Sequence, residues 1–181
     1  ALDLFGATFD VTACPCEPTA GKLKPEAQVC YDNITPAKLT ALVDVAAVVP
    51  AGYQRRYVLT YGPNLVIENV SLNPTFNVTK TGTFRIHTLI YNPADLDLST
   101  VIFGLTKATD ISKLLIQGGG QLCGALDLTG AQFDVTACVC SAKAGTLVAI
   151  DVPCLNAGSA RIRANVNVAS IVPAGYNLRY I

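Results

Sequence analysis

Residues 83–91 read TFRIHTLIY. Side chains along a strand point to alternate faces. That places Phe84, Ile86, Thr88 and Ile90 on one face and His87, the single histidine, on the other. The pattern predicts a strand with one apolar face and a half-exposed His87. The same period predicts strands at 39–49, 57–60, 65–70, 76–79, 100–105, 113–117 and 131–137. Turn signals separate them: Tyr61-Gly62-Pro63-Asn64, Asn73-Pro74, Lys80-Thr81-Gly82, Asn92-Pro93 and Gly118-Gly119-Gly120. Strands spaced by roughly ten residues, with no sustained helical period, point to an all-β chain and to an immunoglobulin-like β-sandwich.

The chain also repeats itself. Residues 1–14 read ALDLFGATFDVTAC and residues 125–138 read ALDLTGAQFDVTAC, an offset of 124. Cys14, Cys16 and Cys30 recur at the same offset as Cys138, Cys140 and Cys154. Residues 48–58, VVPAGYQRRYV, recur as 171–181, IVPAGYNLRYI, at an offset of 123. A shared cysteine spacing and two shared motifs are not chance. The repeat predicts tandem units of about 124 residues: 1–14 as the last strand of a preceding unit, 16–138 as one complete unit, and 140–181 as the start of the next. The sequence contains no Met, which fits a processed chain or an internal piece of a longer one.

Composition narrows the function classes. Thirteen basic residues balance thirteen acidic ones, and charged residues make up only 14%. Such a balance gives no electrostatic reason for a nucleic acid partner. The longest apolar stretch, near 39–50, is interrupted by Asp44 and is too short for a membrane span. Seven cysteines in a weakly charged β-type chain point to an oxidising, extracellular or cell-surface setting.

Three runs carry a resemblance: PAGYQRRYVLTYGPNLVI (50–67), FNVTKTGTFRIHTLIYNPADLDLS (76–99) and LLIQGGGQLCGALDLTGAQFDV (114–135). Together they resemble repeat modules of giant secreted surface adhesins of Bacteroidetes, linked to gliding motility and exported by the type IX system. The resemblance implies an immunoglobulin-like repeat, a surface location and an adhesive or fibre-forming role. It implies no catalytic residues.

The residues able to carry chemistry are few. Cys16, Cys30, Cys123 and Cys138 allow three disulfide pairings within one unit. The expected pairing is Cys16–Cys30 with Cys123–Cys138, both local, the second closing a hairpin around Thr129-Gly130. The same rule pairs Cys140 with Cys154 and leaves Cys14 to a partner outside the chain. The cysteine spacing is not that of a structural zinc site. His87 has no nucleophile motif near it, and G-x-S-x-G is absent. Asp95 and Asp97 are weak calcium candidates, more in keeping with turn chemistry after Asn92-Pro93. Asn33, Asn69 and Asn77 each open an N-x-Ser/Thr sequon. Tyr53, Tyr57, Tyr61, Tyr176 and Tyr180 follow the two Pro-Ala-Gly motifs. They read first as core packing and second as a stacking surface for sugars. The expected function is therefore a non-catalytic structural or adhesive repeat without cofactor. Its partners would be neighbouring copies of the repeat, lateral filament partners and surface glycans. A carbohydrate-binding module of a secreted protein is the alternative.

Overall fold

The structure is a computed structural model that describes residues 16–139, 142–150, 161–173 and 177–181. The expected strand at 1–14 lies outside the described residues, as do Cys14, Cys140, Cys154 and Tyr176. The chain divides into two compact units, Ala1–Ala137 and Cys138–Ile181. It is mostly β, and the described residues include one short α-helix.

The first unit contains β1 (Lys22–Pro25), β2 (Cys30–Tyr31), β3 (Ala37–Val45), β4 (Gln54–Tyr61), β5 (Val66–Ser71), β6 (Thr75–Val78), β7 (Gly82–Tyr91), α1 (Ala108–Leu114), β8 (Gly124–Leu126) and β9 (Ala131–Ala137). One sheet has three strands in the order β1-β3-β6. The larger has the order β2-β9-β7-β4-β5, with β8 also paired to β7. Its ladders are antiparallel except for the short parallel pair β2–β9.

The quoted stretch forms the centre of the larger sheet. In β7, Phe84 and Ile86 enter a core shared with Leu23, Leu39 and Ala41 of the three-stranded sheet, and with Phe76, Val78, Phe133 and Val135. Leu89 and Tyr91, on the opposite face, enter a second core with Val58, Ile67, Leu96, Ala108, Ile111, Leu115 and Leu126. Burying both faces removes the polar-out requirement of a one-sided strand. His87 is accordingly fully buried, not half-exposed. Burial of each large apolar side chain contributes roughly 1.5–3 kcal/mol before entropic costs.

The second core is closed by residues 92–123, where two expected strands do not form. Residues 98–105 make a short 3-10 turn at Leu98–Thr100 followed by turns. Residues 113–117 end α1 and enter a second 3-10 turn at Ile116–Gly118. The reason is helical spacing: Ala108, Ile111 and Leu115 are all buried, three and four residues apart, so one stripe meets the sheet. Asp110 caps the helix start, its carboxylate accepting from the Lys107 amide at 3.2 Å. The expected strand at 39–49 instead begins at Ala37 and ends at Val45.

The hairpin expected around Thr129-Gly130 is absent. Strands β8 and β9 both pair with β7, Leu126 opposite Leu89 and Ala131 opposite Ile86. The chain therefore runs in one direction along a single edge of β7, interrupted at 127–130.

In the second unit, β10 (Thr146–Ala149) pairs antiparallel with β11 (Ala164–Val168). Thr146 faces Val168, Leu147 faces Val166, Val148 faces Asn165 and Ala149 faces Ala164, with a register irregularity after Thr146. An isolated bridge joins Lys143 to Ile171. In the first unit, Lys22 faces Val45, Leu23 faces Val43, Lys24 faces Leu42 and Pro25 faces Ala41, with an irregularity after Lys22. There the isolated bridge joins Thr19 to Val48.

Candidate functional site

The cysteines give the first distinctive geometry. Cys16 and Cys123 form a disulfide with a Cα–Cα distance of 5.4 Å, spanning 107 residues of sequence. This overturns the local pairings Cys16–Cys30 and Cys123–Cys138. Cys123 precedes β8 and Cys138 follows β9, so an almost extended edge separates them. At about 3.3 Å per residue, that edge far exceeds the roughly 4.4–6.8 Å Cα span of a disulfide. Cys30 and Cys138 are disulfide-bonded as well. These bonds point to an oxidising compartment, extracellular or periplasmic. Among the described residues, no helix is long and apolar enough to cross a membrane.

The second distinctive geometry is the break at 127–130, which β7 pins from beneath. The Asp127 amide donates to the Thr88 carbonyl at 3.0 Å. Arg85 Nη1 donates to the Thr129 carbonyl at 2.6 Å. His87 Nδ1 lies 2.8 Å from the Asp127 carbonyl, and Nε2 lies 2.8 Å from Thr60 Oγ1. A carbonyl can only accept, so Nδ1 donates, and in the neutral ring Nε2 accepts from the Thr60 hydroxyl. Gly130 completes the arrangement at φ +58°, because a Cβ there would fall 2.7 Å from His87 Nδ1 and 2.9 Å from the Ile86 carbonyl. No buried side-chain nitrogen or oxygen among the described residues lacks a partner.

Burial holds the His87 pKa below its ordinary 6.5, against the raising influence of the Asp127 carbonyl. The unfolded chain therefore takes up a proton that the folded chain refuses. Stability attributable to His87 is complete above about pH 6.5. It falls as pH drops from 6.5 toward the lower folded value. Urea titrations of the full chain between pH 7.5 and 5 are expected to show this decline, and His87→Gln to remove it. Since His87 is the only histidine, a slope that survives the substitution contradicts the assignment.

Beside the break lies an open, mostly polar depression of about 530 Å³, lined by Gly62, Pro63, Leu65, Thr83, Arg85, Leu128 and Gln132. Its polar groups are bound to one another. The Arg85 guanidinium also donates to Gln132 Oε1, Thr83 Oγ1 donates to Asp134 Oδ1 at 2.8 Å, and Gln132 Nε2 donates to Asp134 Oδ2 at 3.0 Å. Hydrogen bonds from Gln132 and Thr83, with the nearby Arg85 charge, hold the Asp134 carboxyl below its usual range.

The remaining sequence candidates scatter. Tyr57 is buried in the first core. Tyr61 packs on Phe84 at 5.0 Å between centroids, carries Lys80 Nζ 3.9 Å above its ring and donates to the Thr81 carbonyl. Tyr53 is half-buried and Tyr180 exposed. Asp97 accepts from the Ser99 amide and hydroxyl, each at 2.8 Å, as the cap of a 3-10 turn. These bonds hold its carboxyl below the usual range. Asp95 accepts from Asn92 Nδ2 at 2.9 Å. No group of three metal-ligating side chains converges among the described residues. Asn33, Asn69 and Asn77 are exposed, the latter two on β5 and β6, the outer strands of their sheets. The brace, the pinned break and the depression were not visible in sequence. Each depends on β8 and β9 sharing one edge of β7, which no local pattern encodes. Compared with protein-family models, curated proteins and solved structures, the chain matches none.

Proposed function

We propose that this chain is a structural, non-catalytic stretch of tandem immunoglobulin-like sandwiches from an extracellular filament or giant surface adhesin. The observation that carries the reading is the agreement of two hairpins. Adding 124 to β1 and 123 to the second half of β3, the offsets of the sequence repeat, reaches β10 and β11. The paired residues, the irregularity and the isolated bridge then correspond position by position. Gly21 and Gly145 correspond too: at φ +66° and +74°, a Cβ would meet the Val45 carbonyl at 2.2 Å and the Val168 carbonyl at 2.4 Å. A sequence that spells one hairpin twice in one register is built as an array, and arrays serve as spacers or adhesive stalks.

Other features favour the same reading. A long-range disulfide suits a protein that works outside the cell without repair. The only histidine has both ring nitrogens bonded inside the sheet and faces no substrate-sized opening. The glycan-binding alternative loses its strongest support in the first unit, where Tyr57 is buried and Tyr61 is engaged by Phe84 and Lys80. The likeness to gliding-associated adhesin modules of Bacteroidetes remains part of the proposal, carried by the three sequence runs alone.

Electron microscopy of the native material is expected to show thin filaments or stalks. Their axial period should be on the order of 35–50 Å, from strands of 5–10 residues at about 3.3 Å each plus loops. A compact one- or two-unit monomer with hydrolytic activity would overturn the reading.

A further inference from the structure

We infer that the open apolar face of β10–β11 is a docking surface for a chain segment with the sequence pattern of Leu59–Ala137, joined in cis as it is in the first unit. The proposal rests on the repeat half of the reading above and is independent of the adhesive half.

The two units present a matched contrast within one molecule. Leu39 is 0% exposed in the first unit, whereas Ile162, its counterpart at the 123 offset, is 80% exposed. Leu23 is 9% exposed and its counterpart Leu147 is 50% exposed. Tyr57 is 4% exposed and its counterpart Tyr180 is 66% exposed. The side chains are alike and the hairpin is the same, so what differs is the cover. In the second unit Leu147, Ala164, Val166 and Tyr180 line a groove of about 380 Å³. Three of them are the counterparts of Leu23, Ala41 and Tyr57, which all belong to one core.

The first unit also identifies the occupant. Leu39 pairs with Phe76 of β6 along the outer half of β3. Phe84 of β7, with Phe133 and Val135 of β9, fills the remaining face. A segment that satisfies the groove must therefore supply an antiparallel strand for residues 161–163 and two phenylalanines for the face behind it. The stretch Leu59–Ala137 contains all of these. A helix laid in the groove would leave the backbone along 161–163 without the ladder that β3 obtains from β6.

The test compares the chain of 181 residues with the same chain carrying a second copy of Leu59–Ala137 fused after Ile181. The fusion is in phase, because Ile181 is the counterpart of Val58. In the chain alone, amides of β10 and β11 are expected to exchange rapidly, and Ile162→Ala to leave melting unchanged. In the extended chain, protection of those amides is expected to rise at least about a hundredfold. Ile162→Ala should then lower a second melting transition by roughly 10 °C, as Leu39→Ala lowers the first. Unprotected β10–β11 amides in the extended chain would overturn the proposal, and so would a silent Ile162→Ala. Equal protection from a scrambled extension would overturn it as well. Protection in the unextended chain that rises with concentration, together with a dimer on sedimentation, would assign the face to a second copy and reject the cis segment. None of these outcomes bears on whether the native material forms filaments, so a failure here is separable from a failure of the adhesive role.

Discussion

Replacing Cys16 and Cys123 together by alanine is expected to lower the unfolding free energy of the first unit by about 3–5 kcal/mol. The upper end is the chain-entropy value for a lone bond closing roughly 100 residues, near the 107-residue span of this bond, and the disulfides of Cys30 and Cys138 shorten the loop that the unfolded chain must still close. For a unit of this size the melting temperature should fall by on the order of 15 °C. The position explains the size of the effect. Cys16 stands ahead of β1 in the three-stranded sheet, and Cys123 stands ahead of β8 on the edge of β7. The bond fastens the entry of one sheet to the edge of the other across most of the unit's sequence. Guanidinium titration under non-reducing conditions, with intact mass confirming the remaining disulfides, measures it. A loss below about 1 kcal/mol would mean that the unfolded chain is already held together by other means.

The stretch TFRIHTLIY announced a strand because its alternation is strong, and Ala131–Ala137 was legible at both ends for the same reason. What alternation could not reveal was the second covered face. The clue was the unbroken apolar run Leu89-Ile90-Tyr91, the pattern of a strand buried on both sides. Residues 113–117, a short apolar run, fit strand or helix alike. The tie is broken by Ala108, Ile111 and Leu115, whose spacing belongs to a helix. Strands β2 and β8 have two and three residues. They exist only because β9 and β7 offer edges, so nothing local could announce them. The disulfide connectivity and the role of His87 share one hidden cause, the placement of β8 and β9 along the same side of β7. The self-similarity at offsets 124 and 123 is a property of the sequence alone and needs no three-dimensional information.

Truncating Phe84 to alanine is expected to destabilise the first unit by about 4 kcal/mol, within the roughly 3–5 kcal/mol range for buried aromatics. Phe84 is almost completely buried and sits in the middle of a row of rings across three strands. Tyr61 of β4 is its cross-strand partner on one side and Phe133 of β9 on the other. The tilted contact with Tyr61, 5.0 Å between centroids, adds the pair term of about 0.5–1.5 kcal/mol that aromatic neighbours contribute beyond burial. The substitution would also loosen Tyr61, whose ring holds Lys80 above it and closes over Gly82 at the start of β7. Two further variants divide the effect. Phe84→Leu keeps most of the volume and should recover more than half of the loss. A double-mutant cycle with Tyr61→Leu should return a coupling energy near 1 kcal/mol. If Phe84→Ala cost no more than an exposed-site change, under about 0.5 kcal/mol, the core shared by the two sheets would not be what holds the first unit together. The packing of β1, β3 and β6 against β4, β7 and β9 would then need another source of stability.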